Sequence, residues 1–312
     1  MSQFLQDVLK GLTAAPKFLE SKYFYNEQGD KLFEDLMKNA DYYLTSCEGE
    51  IFEKQSKTMG KSIIGEMTEF DLVELGAGDA TKSICLFEEL LLQKASFTYY
   101  PIDISRNVIS FLEKELPIKM PGFKVHGLAG EYLEMLASPA LQSSRSKVVL
   151  FLGSNIGNFP PDHTNEFVKR LRAELKSGDL ILIGFDLKKD AQTILNAYND
   201  KAGITSQFNL NLLQRINDEL HGNFVPEQFE HFPVYDPQTG SCKSFLVSKT
   251  DQAVEIDNHH FFFEKHESIF MEISQKYTVK QVEEIARATG FTPLKHFFDS
   301  KEWFVDSLWK AV

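Results

Sequence analysis

Cysteine is scarce in this chain. Three occur in 312 residues, Cys47, Cys85 and Cys242, far apart and without paired spacing. Neither a disulfide framework nor a structural zinc site is therefore indicated. Long apolar runs are missing too: none approaches the roughly 18 residues that a membrane span needs. The opening stretch Met1–Asp7 lacks the basic n-region and unbroken apolar core of a signal peptide. Its apolar residues Phe4, Leu5, Val8, Leu9 and Leu12 have helical spacing instead. Positive charge is in deficit, 33 Lys+Arg against 45 Asp+Glu, for a formal net charge of −12. That sign argues against nucleic acid or an anionic membrane as the main partner. We expect a cytoplasmic protein.

What is present is ordinary for a globular chain: 43% hydrophobic and 25% charged residues, which excludes disorder and coiled-coil classes. The length suits one large domain or two coupled ones. Residues 1–65 read as helical, with amphipathic segments at Gly29–Lys38 and Glu48–Ile64. Short apolar runs then alternate with helical patterns: Phe70–Leu75, Phe97–Ile104, Phe123–Leu128, Val148–Leu152 and Leu180–Phe185. Strands spaced by helices imply a parallel sheet with right-handed crossovers. Val148–Leu152 is apolar throughout, as a strand covered on both faces should be. Residues 190–220 return to a helical pattern. Residues 228–277 look antiparallel, with turn signals at Asp236–Gly240 and Asp257-Asn258. A helix at Val279–Thr289 and the runs Phe291–Phe298 and Trp303–Trp309 complete the sheet. The helical start and the 190–277 segment are expected to pack together as a second lobe.

The chemistry concentrates after the first strand, in Val73-Glu74-Leu75-Gly76-Ala77-Gly78-Asp79-Ala80-Thr81-Lys82. Gly76 and Gly78 allow a tight turn and close approach of backbone to a ligand at a helix N-terminus. Thr81 stands where the dinucleotide fingerprint has its third glycine, which favours a nucleoside ligand without a pyrophosphate. Asp103, at the end of the second strand, is placed to take both ribose hydroxyls. Glu74 adds an acid where a cationic amino group could sit, and Glu131-Tyr132 could hold an adenine edge and ring. Together these suit S-adenosylmethionine. A glycine turn made only for packing, or a surface pair of Lys82 with Asp103, is the plainer alternative.

The loop Gly153-Ser154-Asn155-Ile156-Gly157-Asn158-Phe159 follows the apolar fourth strand, at the strand end where open α/β sheets bind ligands. It is either an acceptor site or the N-cap region of a helix near Asp162. His259, His260 and His266 with Glu264 and Glu267 match no metal-ligand spacing, so a solvated hairpin is expected and no metal. No Ser/His/Asp or Cys/His arrangement sits on a recognisable loop, and no covalent nucleophile is assigned.

Further pieces join these: Tyr23-Phe24-Tyr25 before Gly29–Phe33, Tyr42–Glu48, Phe185–Asp190, Ala197–Asp200, Phe208–Leu213 and Glu272-Ile273-Ser274. In this order and spacing the chain resembles the S-adenosylmethionine-dependent histidine Nα-methyltransferases of the ergothioneine pathway, over nearly its whole length. It departs from them at Leu44, where proline is expected, at Ser46-Cys47, at Glu131 for aspartate, and at Asn155 for threonine.

The resemblance implies a Rossmann-like class I methyltransferase sheet with a smaller α+β acceptor lobe. The core would be residues 53–189 and 278–312, and the lobe residues 1–52 and 190–277. It implies a donor site at Tyr25, Gly76, Gly78, Lys82, Asp103, Glu131 and Tyr132. The implied acceptor site is Tyr42, Gly153, Asn158, Tyr198, Glu272 and Ser274, with Asn158 and Tyr198 on the amino acid end and Glu272 and Ser274 on the imidazole. Tyr25 and Asn158 would lie near the reacting amine. The implied reaction is methylation of the histidine α-amine, to the trimethylated betaine hercynine, by a monomer acting on a small molecule. Transfer to another amino acid such as a tryptophan derivative, a catalytically silent binding module and a nicotinamide-dependent oxidoreductase are the other readings.

Overall fold

The computed structural model describes residues 2–312. It divides into two compact units: one holds the chain up to Tyr43 with Lys189–Ser274, the other Leu44–Lys188 with Gln275–Val312. In chain order come α1 (Gln3–Thr13), the short β1 (Lys17–Phe18), α2 (Glu27–Lys38) and the long α3 (Tyr43–Ile64). Next are β2 (Glu69–Leu75), α4 (Thr81–Leu92), β3 (Ser96–Asp103), α5 (Arg106–Lys119), β4 (Leu128–Ala129), α6 (Tyr132–Leu136), β5 (Ser146–Phe151), α7 (Pro161–Ala173) and β6 (Leu180–Asp186). Helices α8 (Ala191–Tyr198) and α9 (Ile204–Leu220) precede β7 (Phe229–Asp236), β8 (Ser241–Ser248), β9 (Gln252–Ile256), β10 (His259–Phe263) and β11 (Ser268–Gln275). The chain closes with α10 (Val279–Ala288), β12 (Phe291–Phe298) and β13 (Phe304–Ala311).

The second unit is built on a seven-stranded sheet of order β12-β13-β6-β5-β2-β3-β4. Strands β2 to β6 run parallel to one another, while β13 is antiparallel to both β6 and β12. Every residue of β6 is buried, as is nearly all of β5, which is why both read as unbroken apolar runs. Val149, Phe151, Ile181, Ile183 and Phe185 pack with Phe167, Val168 and Leu171 of α7 and with Trp309 of β13. Because the chain leaves β2 for β3 on one side and reaches β5 on the other, the carboxyl ends of β2 and β5 flank a topological switch point. Both loops singled out in the sequence lie there. A capping box of Thr278 and Gln281 starts α10, and Gly290, at φ +89°, follows its end.

The first unit has a four-stranded sheet, β1-β11-β8-β7, and the hairpin β10-β9. The hairpin turns fall at Asp236–Gly240 and at Asp257-Asn258 (φ 44° and 65°), where Asp and Asn tolerate the left-handed region. The helical start and the later segment share one apolar cluster. It joins Phe4, Leu5, Val8 and Leu12 of α1 to Leu212, Leu213 and Ile216 of α9 and to Ile269 and Met271 of β11.

Four details differ from the sequence reading. Helix α3 begins at Tyr43 rather than Glu48, because Tyr43, Leu44, Cys47, Ile51 and Phe52 form a continuous buried stripe at helical spacing. The Phe123–Leu128 strand shrinks to β4 and one bridge, Tyr99↔Val125, although both share a single register with β3. The pairing is interrupted at Gly127, whose N–H donates to Glu113 at 2.9 Å instead. The 190–220 helix is two helices, since Asp200 accepts from the N–H groups of Ile204 and Thr205 (2.9 and 2.8 Å) and starts α9 afresh. The units divide at 43/44, 188/189 and 274/275, some residues away from the expected 52/53, 189/190 and 277/278. Among the described residues no helix is long and apolar enough to cross a membrane.

Candidate functional site

In the second unit, Gly76 leaves β2 at φ +72°, and a Cβ there would stand 2.8 Å from the Tyr132 hydroxyl and 3.1 Å from the Asn155 amide. Glycine is required on both counts. Its N–H, with that of Ala77, donates to the Ile102 carbonyl (2.8 and 3.3 Å), which pins the loop to the end of β3. Gly78 is exposed, at φ +51°, with open space where a side chain would project. Asp103 ends β3 beside this cradle. Its carboxylate accepts from the Ser105 N–H (2.9 Å) and, at 3.3 Å, from the Gly78 N–H. Burial raises its pKa, opposed by the N–H donors of Ser105, Gly78 and Ile104. A glycine cradle open to the outside and a carboxylate at the neighbouring strand end fit the ribose of a nucleoside ligand.

Glu131 is exposed at the N-cap of α6. Tyr132 follows, its hydroxyl over Gly76 and its ring edge-on to Phe151 at 5.6 Å. One reading of this region is corrected, and one plainer alternative falls. Glu74 does not offer its acid to a ligand: it is buried, and Ser83 and Tyr99 each donate to its carboxyl at 2.5 Å. Burial pushes it up to about 7 against those two bonds. Nor does Lys82 pair with Asp103. Its ammonium meets Glu48 of α3; burial opposes its charge, but the Glu48 carboxylate more than offsets this and holds the pKa above the usual lysine value.

The loop after β5 turns at Gly153, whose N–H donates to Glu48 Oε1 at 2.7 Å. Ser154 Oγ accepts from the Asp186 N–H at 3.1 Å. Asn155–Asn158 then form a single 3-10 turn that leaves Asn158 exposed. The loop is not the N-cap of the next helix, since α7 starts after Pro160 with no side-chain cap.

In the first unit, Tyr198, at the end of α8, donates to Ser274 Oγ at 2.6 Å. Its ring lies edge-on to Tyr42 with centroids 6.2 Å apart. Glu272, two residues before Ser274 on β11, accepts on one oxygen from Asn209 Nδ2 (3.3 Å) and Ser244 Oγ (3.2 Å). Asn209 also donates to the Thr205 carbonyl at 3.0 Å, and its Oδ1 is buried without a partner. Tyr25 is 39% exposed, its ring edge-on to Phe33 and Phe208. The structure thus brings Tyr42, Tyr198 and Ser274 together in the first unit, with Glu272 two residues from Ser274 along β11. In the second it gathers Gly76, Gly78, Asp103 and Tyr132. His259 and His260 stand exposed on β10, and among the described residues no three His, Cys, Asp or Glu side chains group to hold a metal.

Sequence reasoning missed three contributors. Glu48 entered only as the boundary of a motif and of a helical segment, although it is buried within the stripe of α3. Asn209 was one letter of Phe208–Leu213, and a buried amide on an apolar helical face was its signal. Ser244, on a strand of mixed polarity, had none.

The family described as "Histidine-specific methyltransferase, SAM-dependent" matches residues 4–311. A protein of Mycolicibacterium smegmatis named histidine N-alpha-methyltransferase is 32% identical over 279 residues, 89% of this chain and 85% of that one. One of the same name from Mycobacterium tuberculosis is 29% identical, covering 94% and 90%. An L-tryptophan methyltransferase of Psilocybe serbica is 27% identical, covering 94% and 89%.

Proposed function

This chain belongs to the S-adenosylmethionine-dependent, histidine-specific methyltransferases, and we propose that it methylates the α-amino group of L-histidine, successively, to the trimethylated betaine. It is an amino acid N-methyltransferase with the class I methyltransferase sheet. When bound, S-adenosylmethionine supplies a methyl group on a sulfonium, which an unprotonated amine takes in one displacement. Positioning accounts for most of the rate in such a transfer, and the residues described are positioning residues. Gly76, Gly78 and Asp103 hold the donor, the carboxylate taking the ribose hydroxyls. Glu131 and Tyr132 border the adenine.

The observation that carries the acceptor reading is Glu272. Two donors turn its carboxylate by gripping one oxygen, and the Tyr198–Ser274 bond stands two residues further along the same strand face. A fixed acceptor beside a fixed hydroxyl suits the two nitrogens of an imidazole. Tyr42 and Tyr198 add aromatic walls to this cluster of the first unit. A free α-amine is mostly protonated at neutral pH, its reference pKa being about 8. Binding must therefore take the neutral form or release the proton, and the Tyr25 hydroxyl is our candidate for its exit.

A panel of free amino acids with S-adenosylmethionine, read by product mass, tests the proposal. Histidine alone should gain mass, by three methyl groups. Gain on tryptophan but not histidine would place the chain functionally with its Psilocybe relative and end the histidine reading. The donor side is tested separately. Asp103→Ala should weaken S-adenosylmethionine binding, measured by calorimetry, by about 1.5–3 kcal/mol, the value of a hydrogen bond to a charged group. Unchanged affinity in the folded variant would remove Asp103 from the donor site.

A further inference from the structure

Glycine inside a buried central strand is costly and marks a close approach. Gly184, in the middle of β6, is such a residue. A Cβ added there would collide with Glu48 Oε1 and come within 3.1 Å of Asp306 Oδ1. Asp306 lies directly opposite Gly184 on β13, so the missing side chain makes the room in which two carboxyl groups meet.

Neither carboxyl belongs to the donor or acceptor residues named above. Both are fully buried. No donor reaches either Asp306 oxygen, and its close polar neighbour is the Glu48 carboxyl itself. Glu48, by contrast, is fully used: Oε1 accepts the Gly153 N–H at 2.7 Å and Oε2 meets the Lys82 ammonium. The other acid nearby is Glu74, already bonded by Ser83 and Tyr99. Three buried carboxyls thus share one ammonium. Two carboxylates in contact cannot both stay ionised in such a place.

We propose that Glu48 and Asp306 share one proton, with Asp306 the neutral partner, and that this pair is a positioning element that fixes Lys82 and the Gly153 N–H, and through them both ligand loops. The shared proton gives Glu48 a donor on the Asp306 side and leaves the pair one negative charge, facing Lys82. Lys82 is the second residue of α4, so anchoring it fixes the first helical turn after the Gly76–Ala80 loop. The Gly153 bond anchors the loop after β5 from the same side chain. The direction of the Asp306 pKa agrees: burial, and then the charge of Glu48, raise it well above the usual carboxyl value.

The test uses the full chain and three substitutions, read by calorimetry with S-adenosylmethionine and by infrared spectroscopy. Asp306→Asn keeps the shape and supplies an N–H where the proton stood, so donor affinity should stay within about twofold. Glu48→Gln removes the single charge facing Lys82 and should weaken donor binding about tenfold or more. Asp306→Leu should do likewise by removing the proton that Asp306 shares with Glu48. The spectrum of the wild type minus Asp306→Asn should show the carbonyl stretch of a protonated carboxyl, with the Glu74 signal cancelling. If Asp306→Asn lost donor binding as Glu48→Gln does, or failed to fold, Asp306 would act as an anion and the proposal would fall. Absence of the protonated band would have the same result. Because donor affinity is the readout, failure of the histidine assignment would leave this outcome untouched.

Discussion

Glu272→Ala is expected to raise the Michaelis constant for histidine by about ten- to more than a hundredfold while that for S-adenosylmethionine barely moves. The magnitude is that of a lost hydrogen bond to a charged group, roughly 1.5–3 kcal/mol. The asymmetry follows from place: Glu272 is on β11 of the first unit, whereas Gly76, Gly78 and Asp103 are all in the second. A site built to bond a ring N–H rejects acceptors without one, because its own polar group is then left unpaired. The variant should accordingly lose its preference for histidine over amino acids with apolar side chains. Asn209 and Ser244 lose their shared acceptor in this variant, so some thermal stability goes as well. Glu272→Gln separates the two effects, since it keeps the volume and an amide oxygen for both donors but removes the charge. If Glu272→Ala melted lower yet kept its histidine kinetics, Glu272 would be a structural strand residue.

The fold was legible because its sheet is buried. Strands covered on both faces must be apolar throughout, and Val148–Leu152 and Leu180–Phe185 could be little else. The turns were legible for a local reason, since Asp236–Gly240 and Asp257-Asn258 contain residues that accept the backbone angles required. The Phe123–Leu128 stretch was less so. Its apolar pattern is that of a strand, but Gly127 gives its N–H to Glu113 of α5, fourteen residues earlier, a contact that no local pattern encodes.

The candidate site was legible in its residue types and not in its pairings. Gly76, Gly78 and Asp103 follow from what a nucleoside needs at a strand end. Glu74 was misread because a carboxylate beside a ligand loop looks the same in sequence whether it faces the ligand or the interior. Burial decided: Glu74 turns to Ser83 and Tyr99, Lys82 to Glu48. The partner of Lys82 is 34 residues earlier in the chain, and Asp306, beyond it, closes the group from the last strand.

Substituting Lys276 by methionine is expected to be the most destabilising single change considered, at about 3–5 kcal/mol. Lys276 Nζ stands 2.7 Å from Asp186 Oδ2, and both side chains are wholly removed from solvent. Asp186 ends β6 and Lys276 follows β11, so the pair joins two distant stretches of chain within the second unit. The attraction of such a pair is largely cancelled by the cost of taking both ions out of water, so its net contribution to stability is small. Removing one partner is different, because it takes the facing positive charge away from a carboxylate that stays buried. The Tyr277 N–H bond to the Asp186 carbonyl at 3.0 Å remains in the variant and does not neutralise that charge. Calorimetric melting of Lys276→Met should show a fall on the order of ten degrees, at roughly 2–4 degrees per kcal/mol for a large domain. The double variant Lys276→Met with Asp186→Leu should recover much of it, since no buried charge is then left alone. If the double variant melted as low as the sum of the two single ones, the pair would be stabilising in itself rather than merely costly to break.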